Sequence, residues 1–106
     1  MTILPQNIRD KLPVLYANEA LGLDAAALVK FFLPGTGWSW YASEFDGEDI
    51  MFGLVIGHEA EYGYFSLAEL ESVRGPLGQP VEMDKNFNAQ SLQALRDHYL
   101  KSGWAL

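Results

Sequence analysis

Residues 38–71 read WSWYASEFDGEDIMFGLVIGHEAEYGYFSLAELE, and this stretch carries the main signals for the fold. The side chains over 37–45 alternate in character with the two-residue period of a β-strand. Asp46-Gly47 then predicts a hairpin turn, because glycine adopts positive φ at little cost. The segment 50–56 (IMFGLVI) is apolar on both faces, as a strand in the middle of a sheet requires. The stretch therefore predicts an antiparallel hairpin whose second strand is central.

The flanking sequence adds further elements to this hairpin. Before the hairpin, the sequence predicts a short helix over 6–11 and a strand over 27–33, which the turn 34–37 ends. After the hairpin come a strand over 62–65 and a helix that begins with a Ser66–Glu69 capping box. An edge strand over 81–83 and a final helix over about 89–101, begun by Asn88 or Ser91, complete the chain. The predicted fold class is α+β, with an antiparallel β-meander of three to four strands and helices packed on one face. A chain of 106 residues predicts a single domain, 1–106.

Composition narrows the class of protein. With 49% hydrophobic residues the chain is predicted to be globular rather than disordered. No apolar run approaches the roughly 20 residues of a spanning helix, and the first residues lack the layout of a signal peptide. There is no cysteine, and hence no disulfide, thiol nucleophile or thiolate metal ligand. A cytoplasmic protein without a membrane partner is expected.

Charge is the most informative bulk property. The chain has 14 acids and 7 bases, for a net charge of -7. No lysine or arginine occurs between Phe31 and Val73, while the same window holds eight carboxylates: Glu44, Asp46, Glu48, Asp49, Glu59, Glu61, Glu69 and Glu71. Such a surface repels nucleic acid and anionic membranes, because an acidic surface cannot displace the counterions that surround them. A basic protein surface is the favoured partner.

Four carboxylates crowd into residues 44–49 (EFDGED), which raises the question of a metal site. Carboxylate oxygens suit Ca²⁺ or Mg²⁺, but a calcium-binding loop spreads its ligands over about twelve positions, whereas this segment closes into a tight turn. His58 precedes Glu59 but lacks the second histidine of a zinc motif. No metal or other cofactor is expected, and a solvated hairpin tip is favoured.

Catalysis is not predicted either. Exposed turn carboxylates lack the cleft that raises one catalytic pKa, and no serine stands in a nucleophile-elbow pattern.

The alternation over the first strand also predicts where Tyr41 lies. Trp38 and Trp40 share one face, so if that face packs under the helices, Tyr41 is left on the open face near the acids. Aromatic rings beside carboxylates bind lysine or arginine through cation–π contact and charge-assisted hydrogen bonds. A base-stacking platform would need basic residues around the rings, so no direct binding of nucleic acid is expected. The predicted partner-binding residues are Tyr41, Glu44, Asp46, Glu48, Asp49, Glu59 and Glu61.

These carboxylates are expected to be spread out rather than gathered. The turns at either end of the 50–56 strand would lie roughly 23 Å apart, at about 3.3 Å per residue. Such spacing suits a long basic groove on a partner and imitates a phosphate track. The alternative is that the carboxylates only keep an aromatic-rich sheet soluble, and both interpretations stay open.

Four segments, taken in their order along the chain, resemble those of a known family. They are LPVLYANEALG (12–22), VKFFLP (29–34), WSWYASEFDGEDIMFGLVIG (38–57) and YGYFSLAELESVRGPLG (62–78). Over residues 12–87 the chain resembles a bacterial family known as domain of unknown function 2958. The resemblance implies no catalytic residues. It does imply a context, because members look like accessory proteins of plasmids, integrative elements and phages.

Three functional hypotheses follow. The first is a small acidic non-enzymatic binding protein of a mobile element or phage, which inhibits a host nucleic-acid-targeting defence system (anti-CRISPR or anti-restriction) by occupying a basic surface of its effector complex. The second is a small enzyme or ligand-binding domain with an aromatic pocket built from Trp38, Trp40, Tyr99 and Trp104, with His58 or His98 at its mouth. The third is a homodimer formed through an exposed strand.

Overall fold

A five-stranded antiparallel sheet forms the centre of the computed structural model, which describes residues 2–106. The strands of the chain are β1 (Ala26–Ala27), β2 (Val29–Phe32), β3 (Ser39–Phe45), β4 (Ile50–Ile56), β5 (Ala60–Ser66), β6 (Glu82–Met83) and β7 (Gln90–Ser91). The large sheet has the order β5-β4-β3-β2-β6, and β1 pairs with β7 in a separate two-stranded sheet. The α+β class is confirmed, with more strands than the sequence predicted. Residues 50–56 form an interior strand, as predicted, since β4 pairs with β3 on one side and β5 on the other, and the edge strand within 81–83 is also correct.

The helices are short and lie on both faces of the sheet. They are α1 (Gln6–Arg9), a 3₁₀ segment (Glu19–Asp24), α2 (Leu67–Ser72) and α3 (Leu92–Ser102). One face, here called the α2 face, buries Trp40, Phe45 and Met51 together with Leu67 and Leu70 of α2. The opposite face, called the α3 face, buries Tyr41, Leu54 and Ile56 together with Leu92 and Leu95 of α3. The helices thus cover two faces rather than the single face expected, which explains why β4 is apolar at every position.

A β-bulge at Ser43 resets the alternation of β3. Ala42 pairs with Gly53, but Glu44 already pairs with Phe52, so one extra residue is inserted between them. The inserted residue moves Glu44 onto the α3 face beside Phe52 and returns Phe45 to the α2 face. Phe52 pairs in turn with Tyr64 of β5. Glu44, Phe52 and Tyr64 therefore form one row across three strands.

Side-chain caps fix the start of the two longer α-helices, α2 and α3. Ser91 Oγ accepts a hydrogen bond from Ala94 N (3.0 Å), so Ser91 rather than Asn88 begins α3. Gly103 ends that helix in the left-handed region, at φ 77°. Ser66 Oγ accepts from Glu69 N (3.2 Å) and begins α2, which confirms the Ser66 half of the predicted capping box. No helix within residues 2–106 combines the length and the apolar character needed to cross a bilayer.

Candidate functional site

Tyr41 lies in the core and not on an open face. Its side chain is fully buried on the α3 face, and its hydroxyl donates a hydrogen bond to Leu106 O (2.8 Å). Burial raises the pKa of Tyr41 far above its ordinary value of 10.0. The expectation that Tyr41 is exposed is wrong, because α3 and the segment after it cover the face that the sequence left open.

Glu44 is also buried, with 5% of its surface exposed. One carboxylate oxygen accepts a hydrogen bond from Tyr16 N and the other accepts one from Asn18 N, both at 2.8 Å. A buried carboxylate is tolerated when donors of this kind replace its water. The expectation of a surface charge at Glu44 is therefore wrong, and its carboxylate holds the loop at 16–18 against the sheet.

Two carboxylates of the EFDGED segment organise the hairpin tip. Asp46 Oδ1 accepts hydrogen bonds from the backbone N–H groups of Glu48 (2.7 Å), Asp49 (2.7 Å) and Ile50 (3.1 Å). Asp49 accepts from Ser66 Oγ (2.6 Å) and from Ala68 N (2.8 Å) at the start of α2. Local structure thus accounts for both carboxylates.

The hydrogen bonds to Asp46 lower the pKa of its carboxyl below the ordinary value of 3.8, with the Asp49 N–H as the largest cause. A lowered folded pKa stabilises the protein above the unfolded pKa, and this stabilisation is lost as the pH falls through the folded pKa. We expect the stability of wild type to decline more steeply below about pH 4 than that of Asp46→Asn. Urea unfolding between pH 2 and pH 6 measures the difference, and parallel curves for the two proteins would contradict this role.

The remaining predicted binding residues are exposed but divided between two ends of the sheet. Glu48 lies at the tip between β3 and β4, while Glu59 and Glu61 lie at the other end of β4. Arg9 reaches the tip, where its guanidinium donates to Gly47 O (3.2 Å) and lies over the Phe45 ring (5.0 Å). Within residues 2–106 no three His, Asp or Glu side chains are grouped so that they could hold a metal ion.

The structure instead brings acids and aromatic rings together at a place that the sequence did not indicate. A cavity of about 260 Å³ lies on the α3 face, between the Glu44–Phe52–Tyr64 row and the loop over 16–25. The loop contributes Tyr16, Glu19 and Leu23 to its lining. This site is called the acid–aromatic cavity below.

The loop keeps its shape through two unusual backbone positions. Tyr16 has φ 70°, which is uncommon for a bulky residue, and Gly22 has φ 54° within the 3₁₀ segment. The hydrogen bond from Tyr16 N to Glu44 holds the first of these positions in place. The strained turn presents the Tyr16 ring to solvent next to Tyr64, and these side chains are 63% and 53% exposed.

The electrostatics of the acid–aromatic cavity favour a cation. Glu19 and Glu44 line it, and no lysine, arginine or histidine within residues 2–106 does so. The neighbouring Tyr16 hydroxyl raises the pKa of the Tyr64 hydroxyl above its ordinary value, and the charges of Glu44 and Glu19 add to that shift. The same negative potential that disfavours a phenolate favours an ammonium or guanidinium group over the tyrosine rings.

The aromatic pocket expected from Trp38, Trp40, Tyr99 and Trp104 does not form as one cavity. Trp40 packs in the α2-face core, where Trp38 stacks on it with ring centroids 5.9 Å apart. Tyr99 and Trp104 line a separate cavity of about 550 Å³ together with Lys30. Burial lowers the pKa of Lys30, and Asp84, at 3.9 Å, opposes that shift.

Comparison with known proteins gives a family but no activity. A family model described as a protein of unknown function (DUF2958) matches residues 3–101. The resemblance drawn from the sequence is confirmed, and the match extends beyond residues 12–87 at both ends. No curated protein and no solved structure matches significantly.

Proposed function

We propose that this chain, which belongs to the DUF2958 family of proteins of unknown function, is a non-enzymatic binding protein that holds a basic partner protein. The acid–aromatic cavity receives a lysine or arginine side chain of the partner. One observation carries the proposal: Glu19, Glu44 and the rings of Tyr16, Phe52 and Tyr64 line one cavity that has no cation of its own within residues 2–106.

The cavity offers a cation two kinds of attraction. A cation over a tyrosine ring gains about 0.5–1 kcal/mol at an exposed site and about 2 kcal/mol when desolvated. Glu44 uses each oxygen to accept one backbone N–H, and a carboxylate has about four acceptor positions, so it retains capacity for a guanidinium. Because Glu44 is already buried and held, binding requires little further ordering of that group.

The partner we propose is the effector of a host nucleic-acid-targeting defence system, which this protein inhibits by occupying a basic surface. The net charge of -7 supports this choice, because a surface that binds DNA or RNA is strongly basic. The exposed carboxylates of Glu48, Glu59 and Glu61 would add long-range attraction outside the cavity. The mobile-element context implied by the family resemblance points the same way.

Binding of N-acetyl-L-arginine amide, measured by NMR titration at low salt, tests the cavity directly. We expect Tyr64→Leu and Glu19→Gln each to weaken the affinity by about 2–5-fold, in keeping with the loss of one cation–π contact or one nearby charge. Both side chains are exposed, so neither change should affect folding.

Matched controls separate the cavity from general charge and hydrophobicity. Glu82→Gln removes an exposed carboxylate on β6, and Trp104→Leu removes an aromatic ring that is 75% exposed outside this cavity. We expect both controls to bind the probe as wild type does. Equal losses in the controls and in the cavity variants, or no binding by wild type, would refute the proposed function.

A further inference from the structure

Within residues 2–106 no strand pairs with the outer edge of β5, a long edge that lies next to the acid–aromatic cavity. β5 has seven residues (AEYGYFS), of which Glu61 alone is charged, and it contains no proline or lysine. Proteins usually protect such edges with lysine, proline, a bulge or a very short strand. The opposite edge of the sheet follows that rule, since β6 has two residues. The β5 edge lacks this protection.

The hydrogen-bond register shows which groups face outward. Leu67 N donates to Asp49 O, and Gly57 N donates to Glu59 O, so the odd-numbered residues of β5 bond to β4. In an antiparallel pair these positions alternate, which directs the N–H and C=O groups of Tyr62 and Tyr64 away from the sheet. Within residues 2–106 these groups have no hydrogen-bond partner beyond the sheet. They form a template for one more strand.

We infer that the partner adds an extended segment to β5 as a sixth strand and places a lysine or arginine from that segment in the acid–aromatic cavity. This inference rests on the proposed function and specifies how the partner binds. Strand addition of this kind takes affinity from main-chain hydrogen bonds and specificity from pockets for alternate side chains.

Tyr64 connects the edge to the cavity. Its backbone faces outward from β5, while its ring lies on the α3 face in the row with Phe52 and Glu44. A residue opposite Tyr64 on an added strand would continue this row about 4.8 Å further out, with its side chain on the same face. A long basic side chain there lies along the Tyr64 ring and points toward the two carboxylates of the cavity.

Charge complementarity favours a partner segment over a second copy of this chain. Antiparallel pairing of two β5 edges would place only AEYGYFS residues beside each cavity, and none of them is cationic. Each copy would also bring another Glu61 to the interface. A basic segment supplies the cation that the two carboxylates lack.

A synthetic peptide tests the strand addition on the intact protein. The probe is acetyl-Thr-Val-Arg-Val-Thr-amide. One control peptide has glutamine in place of arginine. Two further controls are N-methylated on alternate backbone nitrogens, each blocking one edge of the peptide strand. At a peptide concentration nine times Kd, hydrogen exchange of the Tyr62 and Tyr64 amides should slow by about tenfold. The amides of Gly63 and Phe65, already bonded to β4, should be protected both with and without the peptide. The peptide N-methylated on the edge that bonds to β5 should bind at least about tenfold more weakly than the probe, and so should the glutamine peptide.

The outcomes distinguish this inference from the function on which it rests. Suppose that the arginine peptide or N-acetyl-L-arginine amide binds the cavity. If Tyr62 and Tyr64 then gain no protection, or if the two N-methylated peptides bind as well as each other, strand addition is wrong and the proposed function stands. If neither arginine compound binds, both are wrong. If the two amides are already protected in the free protein and light scattering shows a dimer, a second copy occupies the edge and the inference is overturned.

Discussion

Gly53→Ala is expected to destabilise the protein by at least ~4 kcal/mol, which is a large part of the total stability of a typical domain. A Cβ added at Gly53 would collide with the backbone carbonyl of Tyr41 and lie 3.1 Å from Ala42 Cα. These are main-chain atoms of the neighbouring strand, beside the bulge at Ser43, so no change of rotamer relieves the clash. Urea unfolding followed by circular dichroism measures the loss.

Gly63 provides the matched control, since it pairs directly with Gly53 across β4 and β5. Apart from its chain neighbours, a Cβ at Gly63 meets no atom of residues 2–106 within 4 Å. Gly63→Ala should therefore leave stability unchanged or raise it by about 0.5 kcal/mol, because alanine restricts the unfolded chain. Similar stabilities for the two variants would contradict the close approach of β3 and β4 at Gly53.

Glu44→Ala is expected to cost about 2–4 kcal/mol, because it leaves two backbone N–H groups without the charged acceptor that they have in the folded protein. The loop over 16–25 should open, since Tyr16 then loses the bond that holds its positive φ. Faster hydrogen exchange at the Tyr16 and Asn18 amides, together with a lower urea midpoint, would show both effects.

Glu48→Ala is the control for that change. Glu48 is exposed and lies four residues from Glu44 at the tip of the same hairpin. Its replacement should change stability by no more than about 0.5 kcal/mol. If Glu44→Ala were equally harmless, Glu44 would not hold the loop, and the acid–aromatic cavity would lose its structural basis.

Much of the sheet could be predicted from local patterns. The apolar run of β4, the Asp46-Gly47 turn and the caps at Ser66 and Ser91 each depend on residues close together in sequence. The predicted strand over 27–33 is divided in the structure, because Ala26–Ala27 pairs with β7 while Val29–Phe32 pairs with β3. That division depends on a segment about 60 residues away, so the sequence around residues 26–32 does not reveal it.

The candidate site was harder to predict for a specific physical reason. Alternation along β3 places Tyr41 and Glu44 on opposite faces, and only the bulge at Ser43 brings Glu44 onto the same face as Phe52. The cover over that face comes from two distant segments: α3 buries Tyr41, and the loop at Tyr16 encloses Glu44. Aromatic rings do lie beside carboxylates in the acid–aromatic cavity, but tertiary contacts decide which residues these are, and Tyr41 is not one of them.

If the acid–aromatic cavity holds a basic side chain, intermolecular nuclear Overhauser effects should detect that side chain against the cavity's rings. With labelled protein saturated by N-acetyl-L-arginine amide, we predict contacts from the arginine δ-methylene protons to the rings of Tyr16 and Tyr64. Contacts to the hairpin tip around Glu48, or no contacts at saturation, would contradict binding of the side chain in this cavity.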